Sequence, residues 1–162
     1  CLFPAGHWRI EGLTMIKVQL EDFDIGAEIE ALRAGDTGIG GICSFVGTVR
    51  DMSEDATVST MTLEHYTGMT EKALAEIEAE ANERWTLSGS TVIHRYGELH
   101  PGDNIVLVVT ASAHRQAAFE ACSFLMDWLK TKAPFWKLES GDKGPNWVEA
   151  KSSDDDATAR WR

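Results

Sequence analysis

The stretch Asn104–Ala111 (NIVLVVTA) and the run that follows it, from Ser112 to about Lys130, decide the fold. The first is nearly all apolar and rich in β-branched residues, as a buried strand requires. In the second, Ala118, Cys122, Leu125 and Leu129 recur at helical spacing, and Ser112 supplies a capping hydroxyl at its start. Pro134 ends it, because the residue before a proline avoids helical angles. Upstream, His100-Pro-Gly-Asp103 has the composition of a tight turn, and Thr91–Tyr96 reads as a strand. Thr67 to Glu71 opens a further helix, capped by threonine, with Ala73, Leu74, Ile77, Ala81 and Trp85 on its apolar face. Thr57–His65 and Met15–Leu20 alternate as half-buried strands do, and Gly41–Val49 (GICSFVGTV) is a third strand of this part. Ile25–Arg33 is a short helix ended by Gly35, Gly38 to Gly41 form a turn, and Arg50–Ala56 is a polar, mobile connection. Downstream, Asn146–Ala150 is a short last strand and Ser152–Asp156 a solvated tail or loop. The order β-α-β-β-α-β-β-α-β predicts an α+β or α/β two-layer sandwich, its helices packed on a mixed, largely antiparallel sheet.

The chain has 162 residues, 43% hydrophobic and 25% charged, the size and composition of one globular domain. No apolar run approaches the roughly 20 residues needed to cross a bilayer. Residues 1–14 have no clear period, and the cleaner pattern starts at Met15. The expectation is one domain over residues 15–162, preceded by an upstream extension or a tag remnant. Cys1, Cys43 and Cys122 are odd in number and lack CxxC spacing, which argues against a zinc site and a disulfide framework. Cys43 and Cys122 read as buried small hydrophobes, and a reducing cytoplasm fits. The net charge of −11 argues against nucleic acid as a partner, because phosphate contacts need clustered cations. Any convergence of the fifteen Lys and Arg residues is therefore informative.

Three clusters could carry chemistry. Ser112-Ala-His114-Arg115 places a histidine and an arginine at a helix start, where free amides favour anions. The bland alternative pairs Arg115 with Glu120 or Glu98 on the surface. Lys130-Thr-Lys132-Ala-Pro-Phe-Trp-Lys137 holds three lysines around an apolar wedge. Lys130 and Lys132 suit a helix C-terminus, whereas Lys137, beside Phe135 and Trp136, would be partly desolvated and usable as a base or nucleophile. Phe45-Val-Gly-Thr-Val-Arg50 ends a strand in glycine and arginine beside a polar loop, which suits ligand contact as well as a plain strand exit. His65, Tyr66, His94, Arg95 and Glu98 lack metal-ligand spacing, and no GxSxG, phosphate loop or GxGxxG is present.

In this order, Phe45–Arg50, Leu63-Glu-His-Tyr66 with Gly68-Met-Thr70, Val92-Ile-His-Arg95 with Gly97-Glu-Leu99, Ser112–Arg115, Lys130–Lys137 and Trp147-Val-Glu-Ala-Lys151 resemble the molybdopterin synthase large-subunit family. The resemblance covers about Met15 to Trp161. Each motif alone is weak, and together they are specific. It implies an α/β hammerhead-type fold and a homodimer within a heterotetramer. Each protomer would bind a small ubiquitin-like sulfur-carrier subunit through its C-terminal Gly-Gly thiocarboxylate. The substrate would be cyclic pyranopterin monophosphate and the product the molybdopterin dithiolene, with no metal or organic cofactor. On matching positions, Lys130 and Lys137 resemble the two active-site lysines. Arg50, His114 and Arg115 resemble phosphate and pterin contacts, the latter two reaching in from the neighbouring protomer. Thr48 and Val49 adjoin Arg50, and Leu138 and Glu139 line the same family pocket. Lys151 holds a position often basic in the family. Thr48 departs from a lysine found in some relatives, which leaves backbone contact there. The rival readings are a non-catalytic module that binds a phosphorylated ligand or a carrier tail, and a nucleotide-directed transferase, against which the missing phosphate loop speaks.

Overall fold

The computed structural model describes residues 7–10, 14–53, 56–133, 135–148 and 152–162. In chain order the elements are β1 (His7–Ile10), β2 (Thr14–Gln19), α1 (Ile25–Arg33), β3 (Gly41–Thr48), β4 (Met52–Ser53), β5 (Ala56–His65) and α2 (Met69–Arg84). There follow β6 (Gly89–Arg95), β7 (Gly97–Leu99), β8 (Asn104–Ser112), α3 (Arg115–Thr131), β9 (Phe135–Gly141), β10 (Asn146–Val148) and α4 (Ser152–Ala159). The first sheet has the order β1-β2-β6-β8-β3, with β2 and β6 parallel and the other pairs antiparallel. The second runs β10-β9-β5-β4, with β7 paired to β5, and is antiparallel throughout. The mixed, largely antiparallel α+β reading holds.

Alternation along β6 and β8 explains why NIVLVVTA is apolar without a break. Val92, Val106 and Val108 pack with Leu74, Ile77, Phe124 and Leu125 beneath α2 and α3. Ile93, Leu107, Val109 and Ala111 point the other way, towards Phe23, Ile29 and Leu32 of the α1 side. With helices over both faces, the middle of each central strand is apolar on both sides, and the buried polar residues Ser90, Thr110 and Ser112 are each hydrogen-bonded. A third cluster, Val49, Met61, Leu63 and Leu99, joins the second sheet to the first through Tyr96 and Ile105.

Several local expectations shift. Ser112 ends β8 and donates to the carbonyl of Thr86 (2.9 Å), so the cap of α3 is His114. Gly68, not Thr67, caps α2, and its amide donates to Glu71 (2.6 Å). The left-handed residue after α1 is Ala34 (φ 38°), with Gly35 following it at φ 78°. Gly40 lies against the β8–α3 junction, where a Cβ would come within 2.0 Å of the Ala113 carbonyl oxygen. The polar connection contains β4, a short hairpin partner of β5, while residues 54–55 and the end of the expected strand at 149–150 lie outside the described residues. Ser152–Asp156 is not loop but the start of α4. What holds that helix is distant in sequence. Asp127 Oδ2 accepts from Arg160 Nη2 (2.6 Å), Arg160 Nε (3.1 Å) and Trp161 Nε1 (2.6 Å). Trp161 in turn meets Trp85 and Phe124 edge-on.

Cys122 is buried on α3, and Cys43 is half-buried on β3 beside it. Burial, reinforced by Cys43, pushes the Cys122 thiol up to about 12, so it packs as a hydrophobe and not as a thiolate. Glu78 of α2 is fully buried. One carboxyl oxygen accepts from the Ser90 hydroxyl and the other has no partner among the described residues. Burial raises its pKa to about 7, against an ordinary 4.5.

Two predictions follow from these buried and clasped carboxylates. Between about pH 4.5 and 7 the folded state holds a proton on Glu78 that the unfolded chain releases, so its contribution is complete below pH 4.5 and is lost by about pH 7. Glu78→Gln should therefore gain stability over the parent as pH rises through this window, by on the order of 3 kcal/mol, in paired urea melts. A constant difference across pH would refute the assignment. Asp127→Ala should cost about 1–2 kcal/mol and speed amide exchange in α4 while leaving β6 and β8 protected. Unchanged α4 exchange would show that the clasp does not hold the helix.

Candidate active site

Helices and strands of both sheets wall a cavity of about 680 Å³. Helix α3 contributes Met126, Leu129, Lys130 and Ala133, which the 3.6-residue period puts on one face. Lys130 stands in the last turn, where a cation suits the helix dipole. Strand β9 contributes Phe135, Lys137 and Glu139, alternate residues on one face. The end of β3 and its exit contribute Phe45, Val46, Gly47, Thr48 and Arg50, and α4 contributes Ser153 and Asp154. His94, at the end of β6, and Met61 and Leu63 of β5 also line it.

The register explains these positions. In β9, Phe135 lies opposite His65 of β5, Lys137 opposite Leu63 and Glu139 opposite Met61. On the far side Lys137 pairs with Val148 of β10. This strand escaped the sequence reading, which treated 130–137 as one cluster, although FWKLESG alternates visibly. The same period corrects the expectation about the aromatic wedge. Trp136 lies on the other face from Lys137, 40% exposed and packed edge-on to Tyr66 with centroids 4.4 Å apart. Only Phe135 shares the cavity with Lys137. Leu138 likewise alternates away and is not among the lining residues, whereas Glu139 is.

At the opposite wall, the pairing of β3 with β8 slips between Gly47 and Thr48. A Cβ on Gly47 would approach Val106 Cγ1 to 2.7 Å, so glycine permits this close packing. The irregularity redirects the chain as bulges do. Val49 then turns inward, 3% exposed, held by its amide to the Asp103 carbonyl (2.9 Å) and by Gly102 to its own carbonyl (2.8 Å). That anchoring leaves Arg50 exposed at the cavity rim. The turn expected at His100–Asp103 thus has a task, which is to fix the strand exit.

The remaining cations are elsewhere. Lys132 lies over the Trp128 ring, 4.2 Å from its centroid, outside the cavity. His114 and Arg115 are exposed at the N-terminal end of α3. Fifteen residues at 1.5 Å each put Arg115 about 22 Å along the axis from Lys130. Glu120, one suggested partner of Arg115, instead accepts from Gln116 (3.0 Å) and Trp85 (2.9 Å). Within one protomer, then, Thr48, Arg50, Lys130, Lys137 and Glu139 come together, and His114 and Arg115 do not join them. Lys151 lies outside the described residues. Sequence reasoning missed His94, Met126 and Asp154. For Met126 the signal was its place one turn before Lys130, while Asp154 depended on α4. Among the described residues no cluster of three metal-ligating side chains occurs.

Two lysines and an arginine share this cavity with Glu139 and Asp154, a local excess of cations in a chain of net charge −11 that suits an anionic ligand. Comparison with known proteins places it. The molybdopterin synthase catalytic subunit of Ralstonia nicotianae is 58% identical over 146 residues, covering 90% of this chain and 83% of that one. That of Pseudomonas aeruginosa is 56% identical, covering 90% and 97%. The solved structure of a molybdopterin biosynthesis MoaE protein from Burkholderia ambifaria superposes with a TM-score of 0.77 at 52% identity, covering 90% of this chain and 96% of that one. The family model described as MoaE protein matches residues 18–132. The chain belongs to the MoaE family, that of molybdopterin synthase catalytic subunits.

Proposed function

We propose that this chain transfers two sulfur atoms from a thiocarboxylated, ubiquitin-like carrier subunit to cyclic pyranopterin monophosphate, making the molybdopterin dithiolene. The observation that carries this reading is the meeting of Lys130 and Lys137 in one cavity with Arg50 at its rim. The carrier's extended Gly-Gly tail is narrow enough to enter such a cavity, and its thiocarboxylate and the substrate phosphate are both anions. Arg50 holds the phosphate, with backbone contact from Thr48, while Val49, expected beside them, is buried with both backbone groups already paired and supports the strand exit instead. The carrier sulfur attacks the precursor side chain. Lys130 stabilises the negative charge that develops on the acyl group. Lys137, beside Phe135, acts as general acid and base in dehydration and in opening the cyclic phosphate. Water then releases the carrier's carboxylate, and a second carrier delivers the second sulfur. No metal or organic cofactor takes part.

The site is completed by a second copy of the chain. His114 and Arg115 are too far from Lys130 of their own protomer, and Phe119, one turn after Arg115, is 62% exposed on the same helix. A homodimer that covers Phe119 would bring a neighbour's His114 and Arg115 to the phosphate, and two carriers would make a heterotetramer. Lys151, following β10, would add a further cation. The working domain is residues 15–162, with His7–Ile10 as an edge strand upon it. We place the reaction in the cytoplasm. No described helix is long and apolar enough to cross a membrane.

Lys130→Ala should fold normally and lose turnover by at least about 10²-fold in an assay containing the pterin precursor and thiocarboxylated carrier. Near-parental turnover would remove Lys130 from the mechanism. Carrier binding by the parent chain without any product would favour a non-catalytic binding module. The composite site has its own test. Lys130→Ala and Arg115→Ala chains, each inactive alone, should regain activity when co-expressed, because a mixed dimer has one site with neither change. Mixed dimers that form and stay inactive would exclude sharing between protomers.

A further inference from the structure

His94 stands in the cavity wall and has no part in the steps above. Its ring lies flat on Phe135, centroids 3.7 Å apart and planes within 17°. Its Nδ1 is 2.8 Å from the carbonyl oxygen of Arg95. A carbonyl only accepts, so Nδ1 carries a proton and donates it. The segment is itself pinned, because the Arg95 guanidinium donates to the carbonyls of Leu20 (3.1 Å) and Asn104 (3.0 Å). In the neutral ring the lone pair is therefore on Nε2, across the ring from that anchor.

The surroundings settle the charge of the ring. Lys130 faces it from α3, Lys137 from β9 and His65 from β5, while Arg50, Glu139 and Asp154 share the cavity. Burial, together with the neighbouring Lys130, His65 and Lys137, outweighs the bond to Arg95 and lowers the imidazole to about 4. His65 is fastened in its turn. The Thr70 hydroxyl donates to the Tyr66 carbonyl (3.0 Å), so it accepts from His65 Nδ1 (3.2 Å). At physiological pH His94 is thus neutral, in one tautomer and one orientation. So weak a base does not take a proton from an ammonium group. What it offers is a fixed hydrogen-bond acceptor beside two lysines, of which Lys130 acts on it the more strongly.

We propose that His94 is a positioning residue whose Nε2 accepts a hydrogen bond from the Lys130 ammonium and aims that group at the acyl oxygen, where negative charge develops. This rests on the reading of Lys130 as a catalytic residue. A flexible four-carbon side chain gains direction from such an acceptor, and misplacement of a reacting group by about 1 Å costs up to about 100-fold in rate. Neutrality matters as well, since an imidazolium here would repel the cation it is meant to hold.

Two variants separate positioning from packing. His94→Phe keeps the stack on Phe135 and removes the acceptor, whereas His94→Gln gives up the stack and supplies an amide oxygen. The proposal predicts that the Phe variant keeps its melting temperature and its KM for the pterin, and loses about 10- to 100-fold in kcat. The Gln variant recovers much of that loss. The reverse ranking, with Phe active and Gln impaired, would mean that His94 only packs. Imidazole ¹⁵N NMR of the parent protein and of Lys130→Ala supplies a readout that needs no turnover. His94 should stay neutral and protonated on Nδ1 between about pH 5.5 and 8, and its Nε2 signal should move in Lys130→Ala. A ring that titrates in this range, or an Nε2 signal indifferent to Lys130→Ala, would overturn the proposal. A parent protein that makes no product would instead sink the sulfur-transfer reading and leave the NMR result to judge His94 alone.

Discussion

The site depends on one constraint, that β6 and β8 are buried on both faces. Because Val106 and Val108 face one helical layer while Leu107 and Val109 face the other, α3 must return along the full length of the sheet to cover the first set. Its buried stripe through Ala118, Cys122, Leu125 and Leu129 fixes its rotation. That rotation sends Lys130 to the junction between the two sheets. The second sheet meets it there, as the β5–β9 register sets Phe135 and Lys137 on the facing wall. Two lysines seven residues apart thus reach one cavity through unrelated periodicities, one helical and one of strand.

Electrostatics then distinguishes this cavity from the rest of the chain. The surface is strongly acidic, yet Arg50, Lys130 and Lys137 gather around a space bordered by Met61, Leu63 and Phe135. The apolar side chains beside the cations lower the local dielectric and strengthen the field that a bound anion feels. The same field, with burial, keeps His94 uncharged. The cations stand where phosphate and thiocarboxylate would meet them, beside the neutral His94 and with Glu139 and Asp154 on the same lining. The clasp of Asp127 on Arg160 and Trp161 carries this arrangement to its last side, since it docks the helix that bears Ser153 and Asp154.

Much of this was legible in the sequence, and the gaps have physical reasons. The long elements announced themselves, because burial of one or both faces writes a period into the residues. Short pieces such as β4 and β7 have too few residues to show a period. Helix α4 has weak helix formers and is held by side chains from α3, a tertiary effect that no local pattern records. Strand β9 was hidden by chemistry, since its lysines and aromatics drew attention as a cluster before their alternation was read. The resemblance grouped Arg50, Lys130 and Lys137, and the residue pattern by itself did not separate Lys132 and Trp136 from them. Helix and strand period supplies that separation, and it also sets His114 and Arg115 apart within one protomer. His94 was passed over because a lone histidine at a strand end has no sequence signature, and its meaning lies in a stack, a carbonyl and two distant lysines.

The most direct test of the central claim is an accounting of sulfur. Purified chain would be mixed with cyclic pyranopterin monophosphate and a limiting amount of thiocarboxylated carrier, and both the pterin and the carrier followed by mass spectrometry. The account predicts that the pterin gains two sulfurs and that two carriers pass from thiocarboxylate to carboxylate for each dithiolene formed. Carrier and pterin that bind but emerge unchanged would contradict it.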